Sequence, residues 1–570
     1  MNVYPFYDGI KSCFNTILEA SFQESLDSDQ KKHAAVLAQS FLKSNTPIKQ
    51  LENYLSESGV GAQCAVIEKE YLDRNFSDDY SAYYGRCFRD FSRKCCRIHF
   101  FKECYKQQEI EKILVASEKD ASLKKFKESY LGFIVIRPLQ QTIVGRTCLV
   151  PYPCQKSDNN FGRNYPAVCK NEVSFFGIKL NVNCMPFQEQ DCGTSACATC
   201  ALWSTFTVSA RMFGNKCPSP STITTLAMDN NFSIGTRFPN RGLTSEEMIH
   251  AIRKNDLEPV IAHLKGCDKS VLAYLFPGFV YAYLNLGVPV IAIIDDMEGW
   301  GKHAIAINGY NIKKDSGESL SAMRIDKYYA NDDQCCPGAR FIPNWDGDTL
   351  KIEAYHGPSF AQNLHKTYVL ECLMVPLYPK IRVTFSEIAQ FVLDCNGILF
   401  FADLCCRPCN KNIFKALSSR YKIRSRSGNA LKQLAKELRK KYDVYLHKKN
   451  IPYKIIQWDI TLKASNDIKD EIRRDSKFSK ETRVSFLEQH LPRYVWCVRI
   501  GYDRQKSAII LIDATDSVQG LCVVGVLFYN GEVQDMARYA CANDKNATTN
   551  PLVKALCAYD VERNETGKCI

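Results

Sequence analysis

The stretch "EQDCGTSACATCALW", residues 189–203, sets Cys192, Cys197 and Cys200 at the entrance to a run of helix-forming residues. Three thiols this close are compatible with a metal cluster, a redox pair, core packing or a single nucleophile. Gly193, Thr194 and Ser195 have turn and cap chemistry, and the apolar run after them predicts a helix over 196–213. Cys197 then falls in the first helical turn, where unpaired backbone N–H groups and the helix dipole favour a thiolate. Cys200 lies deeper, among Ala201, Leu202 and Trp203, and reads as a packing residue. Cys192 precedes the turn.

A thiolate nucleophile needs a histidine to take and return its proton, and a third group to hold the imidazole. In "GWGKHAIAINGY", residues 299–310, a glycine-flanked turn delivers His303 to the start of a predicted strand. The next strand candidate ends in "YYANDDQ", residues 328–334, and the polar stretch "KKDSGESLS" between them predicts a hairpin connection. Neighbouring strands would bring His303 to the cluster Asn331, Asp332 and Asp333, any of which has the chemistry to orient an imidazole. Gln190, just upstream of the thiols, has an amide suited to a developing oxyanion, together with the nucleophile's own N–H.

The order of Gln, Cys-helix, His-strand and Asn/Asp-strand resembles the papain-like cysteine peptidase superfamily. "HAIAINGYN" followed by "YYANDD" is most similar to its peptidase C39-like branch, over about residues 185–345. The resemblance implies a papain-like core, with an N-terminal Cys helix packed on an antiparallel sheet that carries His and Asp. It implies Cys197 as nucleophile, His303 as base, Asp332 as the orienting residue and Gln190 as oxyanion donor. The implied activity is cleavage of a peptide bond in a protein or peptide substrate through an acyl-enzyme, with no metal or organic cofactor. The chain departs from the pattern at two points. Gln190 stands one residue farther from Cys197 than the family places it, and Asp191-Cys192-Gly193 matches the branch's Asp/Glu-Cys-Gly. Cys192 therefore stays open as the alternative nucleophile. The same fold also runs acyl transfer, deamidation and isopeptide cleavage. A non-catalytic binding module is the reading from another class.

Working outward, the 570 residues divide by composition into four parts. Helical spacing over 1–125 predicts a helical N-terminal region, and 126–180 is a β-rich segment leading into the core. The catalytic region spans 181–378, and 379–570 reads as a mixed α/β accessory domain. The whole is α+β in class. Much of the net charge of +12 is concentrated in residues 420–454, where twelve Lys and Arg face only Glu437 and Asp443. That segment suits an acidic partner or nucleic acid, although no helix-turn-helix, RNA-binding or P-loop signature accompanies it.

The cysteines number 27, and several are adjacent (Cys95-Cys96, Cys335-Cys336, Cys405-Cys406), which favours reduced thiols over a disulfide framework. Residues 1–18 lack a basic stretch followed by an apolar one, and the most apolar run, Phe391–Cys406, is interrupted by Asp394 and Asp403. A soluble, cytoplasmic protein without membrane partners is expected. Two zinc sets compete with free thiols: Cys406 with Cys409, and Cys96 with His99 and Cys104.

Overall fold

The computed structural model describes residues 2–5, 46–56, 59–139, 141–153, 162–191, 193–229, 236–296, 301–314, 317–355, 364–406, 456–516, 520–543 and 545–558. The class is α+β with antiparallel sheets, as expected. The chain divides into two units, one comprising residues 1–272, 287–314 and 325–379, the other 273–286, 315–324 and 380–570.

The first unit opens on a five-stranded antiparallel sheet: β1 (Asn2–Pro5), β2 (Cys64–Tyr71), β3 (Cys95–Phe101), β4 (Tyr130–Ile136) and β5 (Val144–Leu149), in that spatial order. The helical reading of 1–125 is thereby corrected. Helices α1 (Thr46–Leu55), α2 (Arg74–Ala82), α3 (Gln107–Leu114) and α4 (Ala121–Glu128) are present, but β2 and β3 lie between them. The physical reason is burial on both faces. Ile98 and Phe100 pack with Ile48, Leu51 and Leu55 of α1. Cys95 and Phe101 pack with Phe76, Ile110, Ile113 and Phe126 of the other three helices. A strand buried on both sides loses its period-two pattern and cannot be told from a helix by spacing. The hairpin of β7 (Cys169–Phe175) and β8 (Ile178–Cys184) adds Val173, Phe175, Leu180 and Val182 to the second of these layers.

The second sheet carries the candidate site. Strands β10 (Val290–Asp296), β11 (Lys302–Ile312), β12 (Ile325–Asp332), β13 (Cys336–Asp346), β14 (Thr349–Tyr355) and β15 (Leu364–Leu377) pair in sequence, and β10 also pairs with β15, closing the path into a ring. Outside it, β6 (Gly162–Asn164) joins β11 and β9 (Glu258–His263) joins β15. Helix α5 (Cys197–Phe213) packs Ala198, Ala201, Leu202 and Phe206 against Ile291, Ile293, Ala304, Ala306 and Met374 of the ring. Two alanines on β11 leave room for the helix to approach closely. Full burial of each Leu, Ile, Phe or Met side chain in this layer contributes roughly 1.5–3 kcal/mol. Gly214, in the left-handed region at φ 75°, ends the helix. Helices α6 (Pro220–Ala227) and α7 (Ser245–Lys254) complete this side, α7 starting on a Thr244–Glu247 capping box.

In the second unit β16 (Ile456–Ala464), β17 (Tyr494–Tyr502), β18 (Gln505–Asp513) and β19 (Val523–Phe528) form an antiparallel sheet. Ile468, Ile472 and Phe486, from the helical segments Ser465–Arg474 and Lys480–Glu488, pack on its Val495, Cys497, Ile509 and Leu511. The basic segment 420–454 and Cys409 lie outside the described residues. Among the described residues no helix is long and apolar enough to cross a membrane.

Candidate active site

The cysteine end of the site is built by a helix start. Cys197 is the first residue of α5, and its N-cap is Ala196, extended at φ −104° and ψ 178°, with no side-chain cap. The first intrahelical bond runs from the Cys200 N–H to the Ala196 carbonyl (3.0 Å). The N–H groups of the first turn, Cys197 included, therefore have no partner within the helix. Sequence reasoning assigned cap chemistry to Gly193, Thr194 and Ser195; here the structure corrects it. Their own N–H groups donate to Asp191 Oδ1, at 2.9, 2.8 and 2.8 Å. The Thr194 hydroxyl donates to Asp191 Oδ2 at 2.7 Å. A buried carboxylate, not a cap, shapes the approach to the helix.

Of the neighbouring thiols, Cys197 is half-buried and Cys200 buried, and both are free. Burial pushes the Cys200 thiol well above its ordinary range, and the Gln188 amide reaches its sulfur at 3.9 Å. Cys200 is a core residue. Cys192 lies outside the described residues.

The histidine end is built by two strand ends. Ala306 of β11 is opposite Asn331 of β12, which brings His303, near the start of one strand, to Asp332, at the end of the other. His303 Nε2 lies 3.0 Å from Asp332 Oδ1, and both side chains are buried. An ionised carboxylate only accepts, so Nε2 is the donor and carries the hydrogen. Asp332 is itself fixed, since its Oδ1 also accepts the Gln334 N–H at 3.1 Å and its carbonyl accepts the Cys335 N–H at 2.9 Å.

Burial alone would lower the imidazole's pKa. The Asp332 charge and hydrogen bond, an interaction with the Cys197 side chain and the Asp333 charge override it, and the net result lies well above the ordinary value. Nδ1 is buried and has no ordinary hydrogen-bond partner. With Nε2 committed to Asp332, it is the nitrogen left to exchange a proton with sulfur. The Tyr368 ring stacks on the imidazole, centroids 6.3 Å apart and planes 28° apart.

The three residues that sequence left open as orienters now separate. Asn331 points its amide to the Pro186 carbonyl (2.8 Å), tying the strand end to the segment before α5. Asp332 takes the histidine. Asp333 Oδ1 is 3.7 Å from Nε2, and neither of its carboxyl oxygens has a hydrogen bond. Burial raises its pKa to about 7, with Asp332 adding to the effect and His303 opposing it. Ligating atoms of His303, Asp332 and Asp333 lie within 4.8 Å of one another, the spacing of a small metal set. The His303–Asp332 hydrogen bond is what this structure shows there.

Gln190 is half-buried, and its amide has no hydrogen-bond partner among the described residues. The rival zinc set around His99 is not assembled, because Tyr130 Oη lies 2.9 Å from Nδ1 and Glu68 Oε2 lies 3.4 Å from Nε2. Burial pulls that ring's pKa down to about 4 despite Glu68. Sequence reasoning missed the Tyr368 stack and the Asp191 cradle. The motif Asp-x-Gly-Thr-Ser was a local signal for the cradle, since an Asp that caps its own following N–H groups is a turn former; nothing local marks Tyr368. The sequence matches no family model, and no curated protein matches it either.

Proposed function

We propose that this chain is a papain-like cysteine peptidase whose catalytic residues are Cys197, His303 and Asp332. The observation that carries the reading is the pairing of two ends: a half-buried thiol at an uncapped helix start, and an imidazole bonded to a carboxylate through Nε2 while Nδ1 stays unpaired. In this reading the Cys197 proton passes to His303 Nδ1, and the sulfur attacks a peptide carbonyl carbon. The Cys197 N–H and the Gln190 amide donate to the resulting oxyanion. Imidazolium Nδ1–H then protonates the leaving amine as the C–N bond breaks. Water, deprotonated by His303, hydrolyses the thioester and restores the thiol. Asp332 keeps the proton on Nε2 throughout, so that Nδ1 alone cycles.

Protein or peptide segments are the substrate class. An amine in place of water at the second step would make the same site an acyltransferase, and a side-chain amide in place of the peptide bond would make it a deamidase or isopeptidase. The test is thiol labelling by iodoacetamide with mass-spectrometric localisation, run beside turnover of a peptide library. Cys197 is expected to label far faster than the other cysteines, and His303→Ala to abolish the preference. Uniform slow labelling of the native chain would sink the proposal, and fast labelling of Cys192 would move the nucleophile.

A further inference from the structure

A second buried charge cluster lies behind the nucleophile, and its cation comes from the N-terminal sheet. Arg137 follows β4 and is buried. One guanidinium nitrogen donates to the Thr142 and Glu189 carbonyls, both at 2.9 Å. The other lies 3.5 Å from Asp191 Oδ2. The carboxylate paired with it is the one that gathers the N–H groups of Gly193, Thr194 and Ser195. The opposite edge of the same loop is held as well. The Gly193 carbonyl accepts the Asn240 N–H at 2.8 Å, and the Thr194 carbonyl accepts the Thr224 hydroxyl at 2.8 Å. Asn240 also donates to Thr199 and Thr224, at 2.9 and 2.8 Å. Gly193 sits so close to Tyr83 and Tyr84 that a Cβ there would meet the Tyr84 hydroxyl at 2.9 Å. Every backbone N–H and carbonyl of residues 193–195 is engaged, the Ser195 carbonyl by the Asp191 N–H at 3.1 Å, and the chain leaves this clamp two residues before Cys197.

We infer that Arg137 and Asp191 are positioning residues for the nucleophile: the N-terminal sheet, through one guanidinium–carboxylate pair, sets the direction in which α5 begins and so the place of the Cys197 sulfur against His303. The inference rests on the proposed catalytic reading. Neither group touches the reacting atoms. A carboxylate this buried is tolerated because its charge is compensated, and removing the cation leaves an uncompensated anion behind the helix start. Two separable effects follow. A displaced sulfur costs rate, since misplacement by about 1 Å costs on the order of 100-fold. An unpaired negative charge disfavours a neighbouring thiolate, so the acid limb of the labelling profile moves to higher pH.

The experiment uses the full chain and measures Cys197 alkylation by iodoacetamide against pH, together with kcat and KM on a peptide found to be cleaved. Arg137→Met is expected to lower kcat by 10- to 100-fold with KM within about twofold, and to move the acid limb upward. Arg137→Lys should recover part of the rate. Arg137→Met combined with Asp191→Asn should bring the acid limb back without restoring kcat, because the stray charge is gone but the clamp is still missing. A purely structural role would not move the limb in one variant and return it in the other. If Arg137→Met does not fold, as judged by its thermal melt, Thr194→Val removes one hydroxyl from the clamp and is expected to cost several-fold in kcat. A folded Arg137→Met, or failing that Thr194→Val, with native kcat and native acid limb overturns the inference. Absence of selective Cys197 labelling in the native chain would instead overturn the catalytic reading on which it stands.

Discussion

The two ends of the candidate site solve the same problem with different cations. At the histidine end a buried carboxylate, Asp332, faces an imidazole; at the cysteine end a buried carboxylate, Asp191, faces a guanidinium. Each pair has a second aspartate beside it that burial pushes up to about 7: Asp333 next to the first, Asp79 next to the second. The difference is what the cation can do. A guanidinium stays charged at any working pH and presents a rigid fork, so it fixes backbone. An imidazole can gain and lose its proton, so it can take part in chemistry. In the proposed reading the permanent charge sits where geometry is set, and the titratable one where a proton moves.

The comparison breaks first at Asp332. Replacing it by Asn keeps the shape and removes the charge that raises the pKa of His303. Activity is expected to fall on the order of 10²- to 10⁴-fold. The basic limb of the pH profile, which follows loss of the imidazolium proton, is expected to move to lower pH. An unmoved limb would mean that Asp332 does not control the histidine.

A smaller effect is expected from Asp333→Asn. Asp333 is largely protonated below about 7, so rates on that side should stay near native. Above it the native chain gains a second anion near the imidazolium and the variant does not, so the basic limb falls by less than with Asp332→Asn. Equal shifts in the two variants would erase the distinction between them.

The smallest effect sharpens the other side. Asp79 accepts the Ser221 N–H at 2.9 Å and is raised to about 7 by burial and by Asp191. A carboxyl raised above its unfolded value contributes stability that is fully present below about pH 4 and lost as pH rises through about 7. Asp79→Asn does not titrate, so its thermal midpoint should fall less than the native one between those limits, with little change in activity. Parallel stability curves would show that Asp79 does not titrate in this window.

Much of the site could be read locally. The start of α5, the strand carrying His303 and the strand ending at Asp332 each follow from spacing and turn residues within about a dozen positions. The sheet in the N-terminal region was not legible, because "CCRIHFF" is buried on both faces and carries no alternation. Nor could a doublet of aspartates after a strand say which of them meets the histidine. That depends on where β12 ends and on the turn that Asp332 closes with Gln334.

What the sequence by itself determined is the inventory and its order: a thiol at a helix start, a histidine entering a strand, an acidic strand end. Local propensity suffices for these, since each is decided by the residues beside it. Only the tertiary structure decided that the Cys197 side chain interacts with the His303 ring, that Asn331 ties the strand end to Pro186 while Asp332 takes the imidazole, and that Arg137 reaches across 52 residues of sequence to the Glu189 carbonyl. Those are pairings of buried polar groups far apart in the chain. No local pattern can announce them, because the energy that selects them comes from charges and hydrogen bonds that must find partners once water has been excluded.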